Sequence, residues 1–150
     1  MKVCFDANVV IDMALKDQWF AESYVAYDVA ALRKFDACIS ASSTADIVYV
    51  LHRQGLSRGE SMEALPMMFQ LFDVFDVTEA DCRRAYESSM GDYEDALIAF
   101  AAERNGVDAI ITRNAKDFAR SPVKAMTPRA FVDAFKPEGI TYEVTDLPKA

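Results

Sequence analysis

The sequence holds one histidine, His52, and offers no Ser/His/Asp or Cys/His set from which a nucleophilic triad could be assembled. His52 stands near a helix end and reads as a surface residue with no role. The three cysteines, Cys4, Cys38 and Cys82, are odd in number and none are spaced C-x-x-C, which argues against a disulfide framework. Cys4 and Cys38 lie in apolar segments and read as buried thiols of a reducing cytosol. Glycine is scarce, and no Gly-rich loop suited to cradling phosphates is present. No apolar run is long enough to span a bilayer. Lys2 is the sole charge before Asp6 and no small-residue cleavage site follows, so the expected location is cytoplasmic. Basic residues are also in deficit: 16 Lys and Arg against 24 Asp and Glu leave a net charge of −8. That argues against broad attraction to a phosphate backbone. It permits an acidic site that changes sign locally once it loads divalent cations.

The 150 residues are 52% hydrophobic, enough for one domain with a full core. Short apolar runs at 2–6, 36–40, 72–77 and 108–112 read as buried parallel strands. Helical patterns separate them, at 19–34, 43–54 (closed by Gly55), 58–71 (opened by the capping box Ser57-Arg58-Gly59-Glu60), from Thr78, at 92–105 and from Thr127-Pro128 to Phe135. Alternating strands and helices predict an α/β fold, a three-layer α/β/α sandwich around a mostly parallel sheet of four to five strands. The expected domain is 1–135. Residues 136–150 read as an appendage, in which 139–144 suit an edge strand and the chain from Leu147 frays. The Met-rich stretch Met62, Met67 and Met68 with Phe69 and Phe72 reads as core or subunit contact.

Five aspartates carry the chemistry. In an open α/β sheet, ligands bind beyond the carboxyl ends of the strands. Asp6 ends the first strand, and Asn114 and Asp117 follow the fourth. Asp46 lies one turn into the helix after the second strand, and Asp92 and Asp95 open the helix that feeds the fourth. Carboxylates gathered in one cleft raise each other's pKa, and the usual neutralising agent is a hard divalent ion, Mg²⁺ or Mn²⁺. Plainer readings stand beside each. Asp6 and Asn8 suit a helix cap. Asp92 or Asp95 suits the helix dipole, although both face one side with Ala99 and Ala102 continuing the stripe, which would leave room for a cleft. Spacing alone makes Asp46 an exposed first-turn acid, Asp117 a turn cap, and Arg113 and Lys116 surface charges.

Four segments in order resemble the PIN-domain family, the ribonuclease fold of VapC-type toxins. They are Phe5-Asp6-Ala7-Asn8-Val9, the run Ser42 to Leu51 around Asp46, Asp92-Tyr93-Glu94-Asp95-Ala96-Leu97, and Ile111-Thr112-Arg113-Asn114-Ala115-Lys116-Asp117-Phe118. The resemblance runs from Val3 to about Phe135. It implies a metal-dependent endoribonuclease acting on single-stranded or structured RNA, the toxin of a toxin–antitoxin pair, with a cognate antitoxin and a homodimeric state. It further implies Asp6, Asp95 and Asp117 as catalytic acids. These three and Asp92 would hold one or two Mg²⁺ or Mn²⁺ ions, supported by Asn8, Asp46, Thr112 and Asn114. Asp46 replaces the Glu of many members, and Asn114 replaces an Asp. Arg113 and Lys116 are expected to meet the substrate phosphate, and Arg120, Lys124 and Arg129 to extend the basic stretch. Two other readings are carried. A metal-dependent phosphatase would also use an acid after the first strand, but Asn8 stands where its second acid belongs. A PIN-like RNA- or protein-binding module would have lost turnover through Asp46 and Asn114.

Overall fold

The structure is a computed structural model that describes residues 1–143. Its centre is a five-stranded parallel sheet in the order β3-β2-β1-β4-β5. The strands are β1 (Lys2–Phe5), β2 (Asp36–Ser40), β3 (Asp73–Phe75), β4 (Ala109–Ile111) and β5 (Lys124–Met126). Between them run α1 (Ala7–Leu15), α2 (Phe20–Leu32), α3 (Ala41–Arg53), α4 (Arg58–Leu71), α5 (Glu79–Glu87) and α6 (Tyr93–Arg104). A 3-10 turn (Ala115–Phe118) follows β4, and α7 (Pro128–Phe135) follows β5.

The period of two along each strand sorts the apolar residues into two cores. Val3, Phe5, Ile39 and Ile111 face a core shared with Val9, Val29, Ile47, Met68 and Phe131 of the helices. Cys4, Cys38 and Ile110 face the other way, onto Ile98, Ala99, Ala101 and Ala102 of α6 and onto Phe75 and Phe118. Because both faces are covered, β1 and β4 read as unbroken apolar runs rather than as alternation. The three expected layers are present. Cys4 and Cys38 are buried free thiols on paired strands. No helix among the described residues is long and apolar enough to cross a membrane.

Local chemistry sets the helix starts. Ser57 with Glu60 and Thr78 with Asp81 each form a complete capping box. Thr127 caps α7, with Pro128 in its first turn. The α5–α6 pair is pinned by Arg104. It bonds both carboxylate oxygens of the buried Asp81, at 2.8–3.1 Å, and also reaches Asp76. This network holds Asp81 below the usual carboxylate range, chiefly through the Arg104 hydrogen bonds.

Two expectations are corrected. The fifth strand is β5, paired with β4, and residues 139–143 form no strand. There Tyr142 instead donates a hydrogen bond to Asp28 of α2. Val144 and the chain beyond it lie outside the described residues. β5 was hidden because three residues, Lys-Ala-Met, carry too little apolar pattern to read. Ala99 and Ala102 line no cleft. Both are fully buried, and their small size lets α6 lie close on the sheet.

Phe5 is fully buried and meets Tyr27 and Phe72 at ring-centroid distances of 6.0 and 5.3 Å. Phe5→Ala is expected to cost about 3–5 kcal/mol in denaturant unfolding, as large-to-small core substitutions of this kind do.

Candidate active site

β1 and β4 are neighbours, but the strand order departs in opposite directions from them, so a switch point opens at their carboxyl ends. Asp6 sits there. Its backbone N–H continues the ladder by donating to Ile111 O at 2.9 Å. Its side chain caps α1 by accepting from the Ala7 amide at 2.8 Å. The other oxygen accepts from the Thr112 hydroxyl at 2.7 Å and from Asn8 Nδ2 at 3.2 Å. Asp6 is thus both a helix cap and a cleft carboxylate, and it is only 6% exposed.

Thr112 is a second fixed point. Fully buried, it also accepts from Asn8 Nδ2 at 3.2 Å and from the Asn114 amide at 3.1 Å. Asn8 Oδ1 accepts from the Arg113 amide at 3.3 Å. One hydroxyl and one amide therefore stitch α1 to the segment after β4 without adding charge.

A cleft of about 540 Å³ opens at this point. Asp6, Asn8, Asp46, Asp92, Asp95, Asn114 and Asp117 all line it, together with Arg113. Asp92 caps α6 by accepting from the Asp95 amide at 3.0 Å, so the capping reading and the cleft position hold together for this residue. Lys116 lies in an adjoining cleft of about 530 Å³, beside Arg120, and the two clefts share Asp92, Asp95 and Asp117. The rest of the basic stretch is dispersed. Lys124 starts β5 opposite Ala109, at the far end of the strands, and Arg129 lines a separate surface pocket with Glu22 and Asp133.

Two further cleft acids were not singled out from the sequence: Glu94 and Asp17. Glu94 lies between Asp92 and Asp95 in the motif, and helix geometry alone does not separate it from the exposed face. Asp12 likewise carries no signal in the sequence. It is fully buried on α1, accepts from Ser23 Oγ at 2.9 Å, and pairs with Arg113 Nε at 2.9 Å. The Nε–H is not well aligned on that oxygen, so the contact is an ion pair rather than a good hydrogen bond.

The electrostatics record the crowding. Asp6 is pushed above the ordinary carboxylate value by burial, partly countered by the Thr112 hydrogen bond. Asp95 rises to about 6, first through burial and then through the charges of Asp6, Asp92 and Asp117. Glu94 rises to about 7 through burial and the proximity of Asp46. Hard carboxylate and amide oxygens with no soft donor suit Mg²⁺ or Mn²⁺. Among the described residues no group of three already converges as a metal cage. The chemistry of the donor set fits such an ion, and Asp6, Asp95, Asp117 and Asp92 are the residues that would hold it.

A carboxyl with a raised folded pKa binds more protons folded than unfolded between its two values, so stability falls as pH rises through that interval. For Asp95 the interval is 3.8 to about 6, and for Glu94 4.5 to about 7. In chelator, the melting temperature is expected to decline as pH rises through these two intervals. Asp95→Asn should reduce the decline and gain about 1 kcal/mol near neutral pH, after allowance for solvent screening. An unchanged slope in the variant would show that Asp95 is not strained.

The sequence profile of the PIN domain matches residues 2–116. Comparison with curated proteins gives no significant match. Among solved structures, the fold resembles VapBC2 from Rickettsia felis bound to a promoter DNA fragment, with TM-score 0.66, 17% identity, and coverage of 85% of this chain and 98% of that one. It also resembles VapBC-1 from nontypeable Haemophilus influenzae, with TM-score 0.62, 17% identity, and coverage of 86% and 99%. A third is VapC20 of Mycobacterium tuberculosis, described as a sarcin-ricin loop cleaving toxin, with TM-score 0.58, 11% identity, and coverage of 73% and 87%. With a profile match across most of its length, the chain belongs to the PIN domain family.

Proposed function

We propose that the chain is a divalent-metal-dependent endoribonuclease, with Asp6, Asp95 and Asp117 as catalytic acids and Asp92 as a further metal ligand. The observation that carries this reading is the gathering of these acids at the switch point, with Asp6 buried and Asp95 raised first by burial and then by its neighbours' charges. A bound hard cation would polarise the phosphodiester and supply a nucleophilic water near neutral pH. The chain's own residues would do the positioning. Thr112 and Asn8 orient Asp6, and Asn114 and Asp46 line the same cleft in support. Arg113 and Lys116 would meet substrate phosphates on either side of the acids.

RNA as substrate is supported by the sarcin-ricin loop cleaving neighbour. A toxin role with a cognate antitoxin is supported by the VapBC complexes among the neighbours, and a cytoplasmic location is proposed with it. The domain boundary proposed is 1–135, with 136–150 as the appendage. The phosphatase alternative is disfavoured by Asn8, whose side chain is fully engaged with Asp6, Thr112 and the Arg113 amide.

Millimolar Mn²⁺ is expected to raise the melting temperature, since a ligand at about 100 times Kd adds roughly 2.7 kcal/mol. Asp95→Asn should keep the fold by circular dichroism yet lower chelator-sensitive cleavage of a mixed RNA pool by about 100-fold or more. Equal cleavage by wild type and variant would mean a contaminating nuclease and defeat the assignment.

A homodimer is also proposed. Tyr49 of α3 and Met62 of α4 are 60% and 50% exposed, beside an apolar cleft that includes Val48 and Leu65. Met67 and Phe69 extend the exposed apolar surface of α4. Light scattering at micromolar concentration should give twice the chain mass, and Tyr49→Glu with Met62→Glu should give the monomer. A wild-type monomer would refute the proposal.

A further inference from the structure

Arg113 is the one basic residue lining the acid cleft among the described residues, and such a cation has two destinations. It can collapse onto the carboxylates, where it would compete with a metal ion, or it can be held at the wall and presented to substrate. The contacts around it select the second. Its Nε is 2.9 Å from Asp12 Oδ2. Its guanidinium lies over the Trp19 ring, 5.5 Å from the centroid. Its backbone N–H donates to Asn8 Oδ1 at 3.3 Å. Asp12 is itself completely buried and is anchored by the hydroxyl of Ser23 from α2. Asp12 Oδ1 accepts no hydrogen bond, and Arg113 is the cation paired with this carboxylate.

We propose that Asp12 and Trp19 are positioning residues that clamp Arg113 to the cleft wall, keeping its guanidinium off the metal-site carboxylates and aimed at a substrate phosphate. The physical case has three parts. A buried carboxylate needs a compensating partner, and losing the guanidinium would leave Asp12 uncompensated. An indole face attracts a guanidinium without consuming its N–H donors. The planar fork, held through Nε, then leaves its Nη donors available for phosphate. The elements that carry the clamp are α1, the segment just before α2 and the segment after β4, so the arrangement depends on the fold and not on one local turn.

The phosphate-facing half of this proposal rests on the ribonuclease reading, whereas the clamp itself is tested without RNA. Trp19 is the only tryptophan of the chain, so its emission reports the cation above it. Wild type, Asp12→Asn, Arg113→Ala and the double variant would be compared. Asp12→Asn is expected to shift Trp19 emission and acrylamide quenching in the direction of Arg113→Ala, and the double variant should match Arg113→Ala alone. In calorimetry with Mn²⁺, Asp12→Asn should weaken binding roughly tenfold, while Arg113→Ala and the double variant bind at least as tightly as wild type. On RNA, Asp12→Asn should raise KM roughly tenfold with kcat within about twofold, as loss of uniform binding requires. If Asp12→Asn does not fold, Ser23→Ala loosens the same carboxylate and should shift the emission the same way by less.

Wild-type emission in a folded Asp12→Asn or Ser23→Ala protein overturns the clamp. So do effects of Asp12→Asn that persist undiminished in the Arg113→Ala background, since these would show a packing role alone. Absence of RNA cleavage by wild type would overturn the ribonuclease reading, while the emission and Mn²⁺ comparisons would still decide the clamp.

Discussion

The hydrogen bond from Thr112 to Asp6, at 2.7 Å, is the contact on which the rest of the site depends. It joins the residue after β1 to the residue after β4, at the point where the sheet order reverses. Burial raises the cost of a charge on Asp6, and the hydroxyl, the Ala7 amide and Asn8 offset part of that cost. Because these donors orient the carboxylate before anything binds, Asp6 requires little reorganisation to act as a ligand. The same donors make a neutral amide an imperfect substitute at this position, since its NH₂ would face N–H and O–H groups.

The acids and their supports are carried by different parts of the fold. Asp6 and Thr112 are fixed by the sheet, whereas Asp92, Glu94 and Asp95 depend on where α6 begins. That start is set by the Asp92 cap, and the α5–α6 pair is held by Asp81 and Arg104 at the opposite end. Fully buried alanines on α6 bring it close to the sheet, so the acids of its first turn line the same cleft as Asp6, the residue after β1. The structure accepts strained carboxylates at one edge and compensates with dense apolar cores on both faces of the sheet.

Much of the architecture was legible because buried parallel strands and capped helices leave strong local signals. The runs around Val3-Cys4-Phe5 and Ile110-Ile111, the Ser57–Glu60 capping box and the helix starts at Thr78 and Thr127-Pro128 are each visible over a few residues. The fifth strand was not legible, since Lys124–Met126 owes its existence to pairing with β4 rather than to its own composition. The tail segment had the better β pattern, but residues 139–143 form no strand.

Residue identity determined the hard-oxygen character of the site, the caps that start α4, α5 and α7, and the alternation that splits the sheet's side chains between two cores. These follow from local chemistry: donors and acceptors near in sequence, and a period of two along a strand. Only the tertiary structure decided which acids share a cleft, because Asp6, Asp46, Asp95 and Asp117 are brought together by strand order and not by spacing. It decided that Glu94 and Asp17 join them and that Ala99 and Ala102 face the core. It also gave Arg113 its partners, Asp12 and Trp19, whose approach depends on how α1 and the start of α2 pack beside the end of β4. Electrostatic and packing terms between residues a hundred positions apart have no signature in a linear pattern, and they emerge when the sheet sets the distances.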